Sequence, residues 1–205
     1  MKRTFFPGCG FGFWFLLPHL FLVADDHHIG GASGGSLMCL IALLPKEHRT
    51  YNFIMKQAFE VFNESSFPLN IYDLLRRFVH KLSKYVDENN VKRNMKRMSV
   101  QLTHVTLSPP SLNRVIVFPQ TMEELLEDIL ISTYIPVLAR NEQGDFFYNR
   151  DGNLYLDGAF YDMVYGAGED SIANDYSSIP WYIPSEVACR EMFIAGERVS
   201  STSST

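Results

Sequence analysis

The chain has 205 residues, 46% of them hydrophobic and 20% charged, with a formal net charge of −5. That composition suits one globular domain with a sizeable core, and with no basic surplus to neutralise phosphates it argues against a dedicated nucleic-acid binder. Three cysteines, Cys9, Cys39 and Cys189, are too few and too scattered for a disulfide framework or a zinc site, so a reducing compartment and no metal or other cofactor are expected.

In chain order, Lys2 and Arg3 precede an apolar stretch over residues 5–24, the outline of a signal peptide or membrane anchor. Pro7, Gly8, Gly10, Gly12, Pro18 and His19 interrupt it, and Leu22 and Ala24 make a poor cleavage site. The favoured reading is a buried strand over residues 3–6, a glycine-rich loop over 7–12, and a helix over 13–23 bent at Pro18. Such a loop exposes backbone N–H groups and suits a phosphate or an oxyanion. No Gly-Lys-Ser/Thr follows, so it is not a Walker loop, and its G-x-G-x-G spacing is not a dinucleotide fingerprint.

Residues 26–29 read as a strand feeding a second glycine-rich turn, Gly31-Ala32-Ser33-Gly34-Gly35, and an apolar helix over 37–44. This G-x-S-x-G pattern suits a serine on a cramped strand-to-helix turn, where Cβ atoms on its neighbours would obstruct the backbone. A Gly/Ser loop capping a core helix fits the same residues. His27 and His28 are near in sequence, but adjacent strand residues face opposite ways, so neither is read as a base.

Residues 47–62 carry an amphipathic helical pattern, and residues 63–68 break it. Asn70 caps a clearer helix, with Ile71, Leu74, Leu75, Phe78, Val79 and Leu82 on one face and His80 off it. Lys92, Arg93, Lys96 and Arg97 read as a solvated turn. Apolar runs on either side of Ser108-Pro109-Pro110-Ser111 predict two strands, and Thr121 caps a helix over 122–131. Asp151-Gly152 is a hairpin signal. The strand Leu154-Tyr155-Leu156 ends on Asp157-Gly158-Ala159, where an aspartate is either a turn-former or a functional carboxylate at a sheet rim. Beyond Ala159 the signals weaken, and residues 200–205 read as a disordered Ser/Thr tail.

Three features thus stand in order: a glycine-rich loop, G-A-S-G-G opening a helix, and D-G-A closing a strand. Together they resemble the patatin-like phospholipases of the animal type. Phe6-Pro7-Gly8-Cys9-Gly10-Phe11 is similar to their oxyanion loop, Gly31-Ala32-Ser33-Gly34-Gly35 to their nucleophile elbow, and Tyr155-Leu156-Asp157-Gly158-Ala159 to the segment holding their second catalytic residue. Residues 132–136 loosely match their S-x-x-x-P element. The chain departs from the family's G-x-G-x-x-G loop: Gly12 comes one place early and Phe13 stands at the third glycine.

The resemblance implies a three-layer α/β/α sandwich with a mostly parallel central sheet. It places an acyl hydrolase domain at residues 1–165 and a C-terminal extension at 166–205. It implies a Ser–Asp dyad in which Ser33 attacks an ester carbonyl and Asp157 is the general base. Gly8, Cys9, Gly10, Phe11, Gly12 and Gly34 would hold the oxyanion, with Gly31, Gly35, Gly158 and Ala159 as motif residues. All six histidines precede Asp157, so the α/β-hydrolase order Ser…Asp…His is impossible with Asp157 as the acid. The expected activity is hydrolysis of phospholipid, lysophospholipid or acylglycerol esters by a cytoplasmic protein at a membrane or lipid-droplet surface. The alternatives are an inactive patatin-like protein that binds lipid or a partner, and a secreted or anchored protein in which Ser33 only caps a helix.

Overall fold

The computed structural model describes residues 2–23, 25–64, 70–136, 144–166 and 185–202. Strand β1 (Arg3–Phe6) pairs in parallel with β2 (His28–Ala32), setting Phe6 opposite Gly31. The longest strand, β3 (Met98–Leu107), runs parallel to β2 and sets Gln101 opposite Ala32. Strand β4 (Pro110–Val117) folds back antiparallel along β3. Strands β5 (Tyr148–Arg150) and β6 (Asn153–Leu156) form the expected hairpin, with Asp151 at φ +53° and Gly152 at φ +80°. Two successive positive φ angles are what a tight two-residue turn requires. Finally, β6 pairs antiparallel with β3, setting Leu156 opposite Thr103.

These registers position the site. Strand β4 is paired along Val100–Leu107 and so fills one edge of β3. Strands β2 and β6 must therefore share the other edge, end to end. They approach from opposite directions, and their carboxyl ends meet on either side of Leu102. In direction, β1, β2, β3 and β5 run one way and β4 and β6 the other. The result is the open, mostly parallel sheet of an α/β fold.

The helices are α1 (Phe13–Leu22), α2 (Leu37–Leu43), α3 (Tyr51–Asn63), α4 (Ile71–Ser83), α5 (Glu88–Asn94), α6 (Met122–Ser132), α7 (Phe160–Tyr165) and α8 (Glu186–Thr202). Helix α2 is apolar all round, and every one of its residues is buried, as such a helix demands. It lies against β2, with α1, α4 and α6 packed around it. Met98, Val100 and Leu102 of β3 join this core. The alternate residues Ser99, Gln101 and Thr103 are also buried but face the other side of the sheet. Helix α7 covers that polar side, where Asp162 bonds to Gln101 and Arg114. Helices thus lie on both faces, as the three-layer expectation requires.

Asn70 and Thr121 cap α4 and α6 as expected: Asn70 accepts from the Tyr72 and Asp73 amides, and Thr121 from the Glu124 amide. The apolar N-terminal stretch lies inside the fold, with β1 in the sheet and residues 13–18 buried. No helix among the described residues is long and apolar enough to cross a membrane.

Two expectations need correction. Residues 92–97 are not a turn but the end of α5 and a short 3-10 segment, held because Arg97 donates to the His27 carbonyl at 3.0 Å and Met95 is buried. Residues 200–202 continue α8 rather than starting a disordered tail, while residues 203–205 lie outside the described part. Helix α8 packs along α1, burying Cys189 and Met192 in the main cluster.

Candidate active site

The site forms where β2 and β6 run into each other. Strand β2 is extended to Ala32, then the backbone turns abruptly at Ser33, whose φ is +51°. A residue with a Cβ seldom occupies that region, and holding it there costs about 1–3 kcal/mol. The chain continues through a 3-10 turn (Ser33–Ser36) into α2. The Ser36 hydroxyl donates to the Ser33 carbonyl at 2.6 Å, securing the turn from inside.

From the other direction, β6 delivers Asp157. The Ser33 hydroxyl donates to Asp157 Oδ2 at 2.6 Å across 124 residues of sequence. Asp157 Oδ1 accepts the Ala159 amide at 2.8 Å, so both carboxylate oxygens are engaged. Asp157 is 3% exposed and Ser33 5%. Burial pushes the Asp157 carboxyl up to about 7, against the opposing pull of the Ser33 hydroxyl and the Ala159 amide. An acid that half-ionises near neutral pH is well matched to taking and returning a proton.

Histidine has no part in this arrangement. His28 Nε2 lies 2.8 Å from Ser99 Oγ and His27 Nδ1 3.4 Å from Thr4 Oγ1, both on the neighbouring strands. No histidine hydrogen-bonds to Ser33 or Asp157. Among the described residues, no group of three or more His, Cys, Asp or Glu side chains is placed to hold a metal ion.

The glycine-rich loop meets the elbow backbone to backbone. A Cβ on Gly8 would overlap Ala159 and stand 3.2 Å from the Ser33 Cβ, and a Cβ on Gly34 would overlap the Gly10 carbonyl. In the same manner a Cβ on Gly31 would overlap the Gly35 carbonyl, and one on Gly35 would overlap the carbonyls of Phe6 and Pro7. The loop closes on itself through the Gly12 amide, which donates to the Cys9 carbonyl at 2.7 Å. Cys9 faces the site with its thiol held neutral, raised first by burial and then by the nearby Asp157 carboxylate. Gly12 has room for a side chain, its nearest neighbour being the Cys9 Cβ at 3.7 Å, and its φ is −75°. The fold therefore does not need glycine in that place.

Two residues that the sequence did not single out as functional tie these parts together. Ser132, at the end of α6, accepts the Ser33 amide at 2.8 Å and donates to the Gln101 carbonyl at 2.7 Å. Its own carbonyl accepts the Gly158 amide at 2.8 Å. Thr103 donates to the Asp157 carbonyl at 2.8 Å. The sequence signal for Ser132 is its place in the S-x-x-x-P run; for Thr103 it is the polar alternation of an otherwise apolar strand. Ser132→Ala leaves the buried Ser33 N–H without an acceptor, so a loss of about 1–3 kcal/mol is expected. Denaturant unfolding checks it, and an unchanged midpoint would rule out this anchoring.

Beside the loop, Phe11, Phe13, Trp14, Phe59, Leu74 and Phe78 help line an almost wholly apolar cavity of about 70 Å³. The arrangement offers a hydroxyl hydrogen-bonded to a buried carboxylate, with a glycine-rich loop packed against it and an apolar recess beside that loop. Comparison with models of known families, with curated proteins and with solved structures finds no match to this chain.

Proposed function

We propose that this chain is a patatin-like serine esterase acting on lipid esters through a Ser–Asp dyad. The observation that carries the reading is the 2.6 Å hydrogen bond from the Ser33 hydroxyl to Asp157, made at a strained turn within a buried site. Ser33 Oγ attacks the ester carbonyl while Asp157 Oδ2 takes its proton. The carbonyl oxygen becomes an oxyanion, stabilised by backbone N–H groups of the glycine-rich loop before Gly12, whose own amide is taken by the Cys9 carbonyl, and by that of Gly34. The tetrahedral intermediate collapses, the leaving alcohol receives the proton from Asp157, and Ser33 is left acylated. Water, deprotonated by Asp157, then attacks the acyl-enzyme, and as the second tetrahedral intermediate collapses Asp157 returns that proton to Ser33 Oγ, releasing the fatty acid and free Ser33.

Two further features support a lipid substrate. The apolar cavity starts at Phe11, one residue beyond Gly10, whose carbonyl abuts Gly34. Met163, Val164 and Tyr165 of α7, just after Ala159, are 67%, 58% and 60% exposed. Exposed apolar residues that close to the base suit work at a membrane or lipid-droplet surface.

The test is hydrolysis of a chromogenic medium-chain ester by purified protein. Wild type is expected to turn over, and Ser33→Ala to lower kcat by ~10³-fold or more. Equal turnover by the two removes the dyad. No turnover by folded wild type would favour the inactive, lipid-binding relative instead.

A further inference from the structure

A polar chain crosses the sheet behind Asp157, on the side away from Ser33. The Gln101 side-chain amide uses both of its N–H groups. One donates to the Gly158 carbonyl at 2.8 Å, the other to Asp162 Oδ2 at 2.9 Å. Asp162 Oδ1 in turn accepts from Arg114 Nη2 at 2.5 Å, and the Arg114 guanidinium lies over the Tyr161 ring. Gln101 is 1% exposed, and the Asp162 side chain is 11% exposed. A buried amide with both donors satisfied has its orientation fixed.

The carbonyl that Gln101 grips belongs to the peptide unit joining Gly158 to Ala159. The N–H of that same unit donates to Asp157 Oδ1 at 2.8 Å. A peptide unit is a rigid plane, so fixing its C=O fixes the direction of its N–H. We infer that Gln101, held in turn by Asp162 and Arg114, is a positioning residue that aims the Asp157 carboxylate at Ser33 through the single Gly158–Ala159 peptide plane.

This inference rests on the proposed dyad and adds to it. Gln101 touches no reacting atom. It acts because Oδ1 of Asp157 is pinned by the Ala159 amide, leaving Oδ2 directed at the Ser33 hydroxyl. Loosening the pin lets the carboxylate rotate and withdraws a hydrogen bond that favours its ionised form. The titratable group facing Asp157 from the glycine loop is Cys9, whose thiol stays neutral. On the polar side of the sheet the charged groups are Asp162 and Arg114, which neutralise each other.

The experiment measures the rate at which a fluorophosphonate labels Ser33, across pH, in wild type, Ser33→Ala, Gln101→Met and Asp162→Ala. The same proteins are assayed for kcat and KM on a short ester. Wild type is expected to label and Ser33→Ala not to. Gln101→Met and Asp162→Ala are expected to label roughly 10–100-fold more slowly, the penalty of a misaimed catalytic group. Their pH midpoints should lie above the wild-type midpoint, with KM unchanged. Asp162 sits on a short helix at the edge of the fold, so Asp162→Ala decides the matter if Gln101→Met does not fold. If wild type labels but both folded variants keep its rate and midpoint, the inference is overturned and the dyad stands. If wild type does not label, or Ser33→Ala labels equally, the dyad itself fails and the positioning role goes with it.

Discussion

Asp157→Asn is expected to abolish turnover and, above neutral pH, to make the protein more stable. The amide keeps the shape, its oxygen can accept the Ala159 N–H and its NH2 can donate to the Ser33 oxygen, so the packing survives, but it cannot take a proton. The stability gain follows from the raised carboxyl. In the folded protein Asp157 titrates near about 7, against an ordinary value of 3.8. Below the ordinary value the group is protonated in both states and costs nothing. Between there and about 7 the unfolded chain releases the proton while the folded protein keeps it, so stability falls as pH rises. Above about 7 the loss is complete, on the order of 4 kcal/mol. The substitution removes it, raising Tm at pH 8 by roughly 2–4 °C for each kcal/mol and hardly at pH 4. Thermal unfolding of both proteins at the two pH values checks this; an equal Tm at pH 8 would contradict a buried, destabilised base. The same titration sets the wild-type rate, which should climb with pH through about 7 and level off above it.

The second large effect is expected from Gly34→Ala. A Cβ there would overlap the Gly10 carbonyl and stand 3.0 Å from the Cys9 sulfur. The carbonyl is backbone and cannot swing aside, so elbow and loop must part. Overpacking of this kind costs typically about 1–3 kcal/mol. A shift of about an ångström between a nucleophile and its oxyanion donors costs on the order of 10²-fold in rate. Gly12→Ala is the contrast, because the space and the negative φ are already there. Its Tm should hold or rise slightly. Comparing the two by thermal unfolding, with kcat for Gly34→Ala, separates crowding at the elbow from a general intolerance of the loop. A Gly34→Ala protein with wild-type Tm and kcat would dismiss the close approach.

The contrast also explains a departure visible in the sequence. Gly12 looked like a glycine displaced from the family spacing, but the loop demands none there. What the loop demands is Gly8 against Ala159 and Gly10 at φ +50°.

The parts legible in the sequence are those with local causes. Asn70 and Thr121 announce helix starts because capping acts within a few residues, and Asp151-Gly152 announces its hairpin for the same reason. The elbow was visible because a strained turn needs small neighbours on both sides. What Ser132 and Gln101 hold was not legible, because their roles arise from partners 99 and 57 residues away. A buried glutamine in a strand gives no sign of which peptide it will hold. Helix α8 was missed because half of its packing information lies in α1, and its own sequence is close to neutral between water and core. Nor could the antiparallel entry of β6 be read from a four-residue strand.

That entry has a wider consequence. With β2 and β6 abutting on one edge of β3, the distance from Ser33 to Asp157 is measured out by a few residues around Leu102. The strand works as a ruler for these two users. A single-residue slip of either user along that ruler would turn its side chains to the opposite face and part the two groups at once.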